Sequence, residues 1–154
     1  MENIDPKTAQ RVWQRVTASA APQSLKPLVY TLGETAVMYQ KLAQQVNGPA
    51  SERLKQMAAR TRQNATSLRG MGHLRGENIQ PVQMKVTKEL DRLLPEKSCR
   101  RAQMLAQEFE MRKNDPEWGK LFEILAGQQW EDALFLLTIL RTDIKKRAAL
   151  GGLT

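Results

Sequence analysis

The most constraining feature of this sequence is a series of apolar residues that recur at steps of three or four positions. The first series contains Leu25, Leu28, Leu32, Ala36, Tyr39, Ala43 and Val46. This spacing places all seven side chains on one face of an α-helix. Because a helix with one apolar face must bury that face against another element, the series predicts an amphipathic helix in a packed protein.

The same periodicity predicts three further long helices and a short leading one. We expect the long helices at about 24–46, 51–72, 96–113 and 116–148, and the short one at about 6–19. No run of alternating apolar and polar residues predicts a strand. Residues 73–94 form the one long connection, with a helical segment at about 82–94.

Several helix boundaries have recognisable signals. Asp5-Pro6 and Asp115-Pro116 each place an aspartate before a proline, which is typical of a helix start. Ser51 is the expected N-cap of the helix at 51–72, after Asn47-Gly48-Pro49 ends the preceding one. Pro95 is expected to break or kink the segment before it.

The predicted fold class is therefore all-α: an antiparallel four-helix bundle with a short extra N-terminal helix. The 154 residues suit a single domain, 1–154, with the bundle at about 24–148. An acidic N-terminus and the lack of a long apolar stretch predict a protein without a signal peptide or membrane span. We expect it in the cytoplasm, where the lone Cys99 would stay reduced.

Polar residues interrupt the apolar series at the centre of two predicted helices. Thr61 and Asn64 lie three positions apart in one, and Gln129 and Asp132 lie three apart in the other. Residues three apart share a helix face. Since burying polar groups costs free energy unless they are hydrogen-bonded, this layer needs an explanation.

The segments that carry these pairs, 54–68 and 122–132, resemble the second and fourth bundle helices of ferritin-like proteins of the rubrerythrin type. Tyr39-Gln-Lys-Leu-Ala43 is similar to the first helix of that family, and Asp115-Pro-Glu-Trp-Gly119 to its lead into the last helix. The resemblance covers about residues 24–142. It implies a ferritin-like bundle with a di-iron site in its core, built from glutamates and Glu-x-x-His pairs.

The positions that match the family's ligands hold other residues here. The glutamate of the first helix falls on Leu32, and that of the third falls within 99–106, near Ala102. The two Glu-x-x-His pairs fall on Thr61 with Asn64 and on Gln129 with Asp132. Only Asp132 could supply an inward carboxylate, too little for two irons. We therefore expect no metal cofactor, with iron or manganese around Asp132 as the alternative.

An isolated buried carboxylate would take up a proton, so Asp132 is expected to pair with Arg101 or Arg62. His73, the only histidine, is expected at a helix end in a surface or capping role. The polar layer then indicates a structural network rather than a catalytic site, although a small-ligand pocket is a further interpretation. Enzymatic activity stays undecided, with the residues arguing against it.

A basic segment supports a third interpretation. The chain carries 24 basic and 16 acidic residues, a net charge of +8. A candidate anion-binding face consists of Arg53, Lys55, Arg60, Arg62 and Arg69. Nucleic acid is an improbable partner, because no aromatic residues are interleaved for base stacking.

These observations leave three hypotheses. The first is a non-catalytic ferritin-like bundle that has lost its metal ligands and acts through interaction, with an unknown protein partner or as a homodimer. The second is a rubrerythrin-type oxidative-stress protein with unconventional ligands. The third is a basic-faced module that binds anions or nucleic acid.

Overall fold

A computed structural model describes residues 24–81 and 94–151, and its side chains up to residue 142. Within these residues the chain is all-helical, with four α-helices and no strand. The helices are α1 (Lys26–Gln45), α2 (Pro49–Leu74), α3 (Leu94–Met111) and α4 (Gly119–Gly151). The predicted leading helix at 6–19 and the segment predicted at 82–94, apart from residue 94, lie outside the described residues.

The start of α2 differs from the sequence prediction. The helix begins at Pro49, directly after Gly48, whose φ of 71° suits glycine. Proline fits this first helical position because its missing N–H needs no partner there. Ser51 therefore lies inside the first turn, and its hydroxyl donates to the carbonyl of Ala43 at 2.7 Å instead of capping α2.

The last two helices also begin at different residues from those predicted at about 96 and 116. Pro95 lies in the first turn of α3, a position in which proline does not interrupt a helix. The segment before it lies outside the described residues, so the expected break or kink stays a prediction. The turn before α4 is built on Asp115, whose Oδ1 accepts the backbone N–H groups of Glu117 and Trp118, both at 2.9 Å. The aspartate thus organises the turn, and the helix itself begins at Gly119.

The helices pack closely in three pairs: α1 with α2, α3 with α4, and α1 with α3. Their apolar faces form two separate clusters. The first cluster contains Leu25, Leu28, Val29, Leu32, Ala65, Leu68, Ile79, Leu105, Phe109, Phe122, Leu125 and Ala126. The second contains Met38, Tyr39, Leu42, Ala43, Leu54, Met57, Ala58, Leu94, Cys99, Ala102, Ala133 and Leu136.

The first predicted apolar series is buried as expected. All seven residues of the first series except Val46 lie in the core. Each cluster draws on all four helices, so burial of these faces stabilises the whole arrangement at roughly 25 cal/mol per Å² of apolar surface. Among the described residues, no helix is both long and apolar enough to cross a membrane.

Candidate functional site

A band of buried polar side chains lies between the two apolar clusters. On α2, Thr61 falls between Ala58 of the second cluster and Ala65 of the first. On α4, Gln129 and Asp132 interrupt the apolar face in the same way, and their exposed fractions are 1% and 0%. We call Tyr39, Thr61, Gln129 and Asp132 the polar layer.

Two of the six positions that match metal ligands in the ferritin-like family hold apolar residues. Leu32 belongs to the first apolar cluster and Ala102 to the second. Thr61, Gln129 and Asp132 are buried polar residues, whereas Asn64 is partly exposed. At most four of the six positions therefore carry a side chain that could bind a metal ion.

The partner of Asp132 is Arg60. One guanidinium nitrogen of Arg60 lies 2.9 Å from Asp132 Oδ1 and 3.4 Å from the carbonyl oxygen of Gln128. The exposed carboxylate of Glu131 lies 3.7 Å from the same guanidinium. Asp132 is thus paired, as its burial requires.

Both partners predicted for Asp132 are wrong. Arg101 pairs with Glu34 on α1, and Arg62 donates to the side-chain oxygen of Gln40 at 2.8 Å. Two positions along a helix correspond to a rotation of about 200°, so Arg62 lies on the opposite flank of α2 from Arg60. Of these two arginines of α2, only Arg60 lies on the flank that faces α4.

A second polar pair continues this edge. Asn64 donates from Nδ2 to Gln128 Oε1 at 2.8 Å. Arg60 and Asn64 are four positions apart on α2, and Gln128 and Asp132 are four apart on α4, so each pair lies along one helix edge. Two pairs of polar side chains therefore connect α2 to α4 at the height of the polar layer.

Burial changes the acid–base properties of the layer. It raises the pKa of Asp132 to about 6, against the attraction of Arg60 and, more weakly, Arg53. Burial and the nearby Asp132 raise the pKa of the Tyr39 phenol well above its usual value. The Tyr39 hydroxyl donates over a long 3.5 Å to Gln129 Oε1. The layer thus holds a neutral phenol and a carboxyl group with a pKa of about 6.

The layer is incompletely hydrogen-bonded. Within the described residues, Asp132 Oδ2 and Thr61 Oγ1 are buried and have no hydrogen-bond partner. Such atoms are uncommon in protein interiors, because each costs about 1–3 kcal/mol of desolvation. They are the one feature of the layer that would suit an additional ligand.

The residues present do not fit a di-iron centre. The described part of the chain contains no group of three or more His, Cys, Asp or Glu side chains placed to hold a metal ion. A di-iron site needs several carboxylates and imidazoles, whereas this layer offers one carboxylate. The adjacent Arg60 guanidinium would also repel a cation at Asp132.

The candidate anion-binding residues divide into two rows. Arg53 and Arg60 lie seven positions apart on the flank of α2 that faces α4, and Arg53 stacks over the ring of Phe135 at 5.6 Å. Lys55, Arg62 and Arg69 also follow a spacing of seven, on the opposite flank. Lys55 pairs with Glu52 at 3.3 Å. The five residues therefore do not make one continuous basic face.

The two remaining candidates, Cys99 and His73, have local partners. Cys99 is buried with its thiol 3.7 Å from the carbonyl of Ala133, and burial raises its pKa, which disfavours the reactive thiolate. His73 is an exposed residue in the last turn of α2, and its Nε2 lies 3.2 Å from the carbonyl of Ile79. This contact agrees with the expected surface position at a helix end.

Sequence reasoning missed a polar cluster at one end of the helices. The Glu77 carboxylate accepts the backbone N–H of Leu25 at 3.0 and 3.1 Å and so caps the start of α1. Arg75 donates to Asp115 at 2.9 Å and stacks on the Trp118 ring at 3.9 Å. Although burial opposes it, the hydrogen bonds from Trp118, Arg75 and Glu117 lower the pKa of Asp115. These contacts hold the loop after α2 against the start of α1 and the turn before α4. Glu77, Arg75 and Asp115 are each engaged in them, so this cluster indicates a structural role.

Comparison with known proteins finds no protein-family model, no curated protein and no solved structure that matches this chain. The function must therefore be inferred from the polar layer and the surfaces around it.

Proposed function

We propose that this chain is a non-catalytic, ferritin-like, antiparallel four-helix bundle in which an internal ion pair occupies the place of a di-metal site. In this proposal it acts as a structural or interaction protein, with an unidentified protein partner or as a homodimer. The proposal combines the architecture, the polar layer and the resemblance described above.

The connections between helices support the antiparallel arrangement. Only residues 46–48 separate α1 from α2, and the two helices pack closely along each other. A connection this short requires the chain to reverse direction if the helices are to be neighbours. Residues 112–118 join α3 to α4, which also pack closely.

The observation that carries the functional proposal is the contact between Arg60 and Asp132. Asp132 is the only carboxylate in the polar layer, and its charge is balanced by a guanidinium of the same chain at 2.9 Å. A metal ion bound there would either displace the Arg60 guanidinium or be repelled by its positive charge. A carboxylate that is paired with an arginine of the same chain favours a scaffold over a redox centre.

One observation favours a second candidate, a metal-binding protein of rubrerythrin type with unconventional ligands. Asp132 Oδ2 and Thr61 Oγ1 are oxygen atoms without partners in the described part of the chain. Oxygen atoms of this kind suit hard divalent cations such as manganese. The two candidates differ in whether the purified protein carries metal.

Elemental analysis by mass spectrometry decides between them. The protein is expressed in cells supplied with iron and manganese, beside the variants Asp132→Ala and Glu131→Ala. We expect less than stoichiometric metal in all three proteins, because the layer lacks the ligands that two irons need. Glu131 is the matched control, since it is the exposed neighbour of Asp132.

Nearly two metal ions per chain, lost in Asp132→Ala and kept in Glu131→Ala, would contradict the proposal and establish the metal-binding candidate. The interaction part of the proposal is tested separately by sedimentation velocity over a range of concentrations. Reversible dimerisation supports a homodimer, and a strictly monomeric protein directs the search to a different partner chain.

A further inference from the structure

A cleft of about 450 Å³ lies at the end of the second apolar cluster, where all four helices approach one another. Apolar side chains from each helix or its flanking residues line it: Leu42, Val46, Ala50, Pro95, Phe135 and Ile139. The cleft shares no residue with the polar layer. Its possible function is therefore independent of the function proposed above.

The chemistry of the lining is unusual for this chain. The other lining residues are Gln45, Asn47, Thr138 and Thr142, so none of the described side chains that line the cleft is charged. In the whole sequence 26% of residues are charged and the net charge is +8. An ionised ligand would lose its hydration here without gaining a counter-charge, which is costly.

The polar residues at the rim differ in what they can still bind. The hydroxyls of Thr138 and Thr142 donate to carbonyls of α4, at 2.6 and 2.9 Å. Gln45 and Asn47 lie at the exposed end of α1 and make no side-chain hydrogen bond to the described residues. Their amides can both donate and accept, so they can recognise a hydroxyl, carbonyl or amide group.

We propose that this cleft binds a small, uncharged molecule that has an apolar body and one hydrogen-bonding end. The apolar body lies against Phe135 and Ile139, and the polar end meets the amides of Gln45 and Asn47. The volume lies within the range of about 300–1,000 Å³ that is typical of small-molecule sites. The neutral lining selects against the sulfates, phosphates and carboxylates that a basic surface would attract.

The test uses N-phenylnaphthylamine, a neutral apolar fluorophore with one N–H donor, and its anionic relative anilinonaphthalene sulfonate. We expect saturable binding of the neutral probe at one site per chain. Thr138→Trp places a large side chain in the cleft and should weaken this binding by about tenfold or more. Leu134→Trp is the matched control, one turn away on α4 and outside the cleft.

Circular dichroism first establishes that both variants fold, and Ala50→Trp replaces Thr138→Trp if the latter does not. Weaker binding in the cleft variant alone supports the proposal. No saturable binding of the neutral probe, or equal binding by both variants, overturns it. Tighter binding of the sulfonate that is lost in the cleft variant would also overturn it, because the ligand would then be anionic. A dimer that dissociates in the cleft variant would identify the occupant as a second copy of the chain, against the proposal.

Discussion

Arg60, whose side chain is about one-third exposed, holds the fully buried carboxylate of Asp132 at 2.9 Å across the gap between α2 and α4. The pair joins residues that are 72 positions apart in the sequence. Its free energy depends on two opposing terms, the cost of burying a carboxylate and the attraction of the guanidinium. The first two predictions separate these terms.

Removing the Arg60 guanidinium should lower the free energy of unfolding more than removing the neighbouring Arg62 guanidinium. Arg60→Ala leaves Asp132 buried without its partner, and we expect a loss of about 2–3 kcal/mol in the free energy of unfolding, since Arg60 is partly exposed. Arg62→Ala is the control, because Arg62 is exposed and, among the described residues, its side chain bonds only that of Gln40. Its loss of stability should stay below about 1 kcal/mol. Urea denaturation measures both, and equal losses would show that the ion pair contributes nothing.

The buried carboxyl group should make stability depend on pH. The pKa of Asp132 is about 6 in the folded protein, above its ordinary value of 3.8. Between these values the folded protein keeps a proton that the unfolded chain has lost. The contribution of Asp132 to stability is therefore full below about pH 4 and is lost as the pH rises through about 6.

A comparison with Asp132→Asn isolates this contribution. The pKa of Asp132 differs by about two units between the folded and unfolded states, which corresponds to roughly 3 kcal/mol in the free energy of unfolding. The wild-type free energy of unfolding should fall by up to about that amount, relative to the variant, between pH 4 and about pH 7. Parallel pH curves for the two proteins would mean that Asp132 titrates normally.

The carboxylate of Glu77 should stabilise the start of α1. It accepts the N–H of Leu25 at 3.0 and 3.1 Å, although it comes from the loop after α2. Glu77→Ala removes this cap and should cost about 1 kcal/mol. Glu123→Ala is the comparison, since Glu123 is exposed on α4 and its side chain makes no hydrogen bond or ion pair to the described residues, so its loss should stay within about 0.5 kcal/mol. Thermal unfolding of the two variants at one pH tests the difference, and equal midpoints would refute the capping role.

Two glycines of α4 should respond oppositely to alanine. A Cβ at Gly119 would lie 2.2 Å from the carbonyl oxygen of Lys113, so the turn before α4 would have to move. We expect Gly119→Ala to lose about 1–3 kcal/mol. A Cβ at Gly127 meets nothing within 4 Å, and Gly127→Ala should gain up to about 1 kcal/mol from helix propensity. Chemical denaturation of both variants tests this, and a tolerated Gly119→Ala would mean that the turn is not tightly packed.

The helices and their buried faces could be predicted because both follow from local spacing. Leu32, Ala36 and Tyr39 are buried where a repeat of 3.6 residues puts them. The polar interruptions at Thr61, Gln129 and Asp132 were visible in the same way, and their burial is confirmed. The resemblance to ferritin-like proteins stays a proposal.

The partners of side chains could not be predicted from spacing. Asp132 pairs with Arg60 rather than Arg101 or Arg62, because the outcome depends on how α2 and α4 are rotated and how far apart they lie. The cap of α1 is likewise supplied by Glu77, which is 52 residues from Leu25. Neither the rotation of a helix nor the path of a loop is encoded in a short window of sequence.

The edge between α2 and α4 has a consequence for how these helices can be aligned. Arg60 with Asp132, Asn64 with Gln128, and Arg53 over Phe135 form a row of three directional contacts. Sliding one helix by a single turn, about 5.4 Å, would break all three together. Apolar clusters alone would tolerate such a slip more readily, since their contacts are not directional. The row therefore fixes the register of α2 against α4, because all three contacts form together at only one alignment of the two helices.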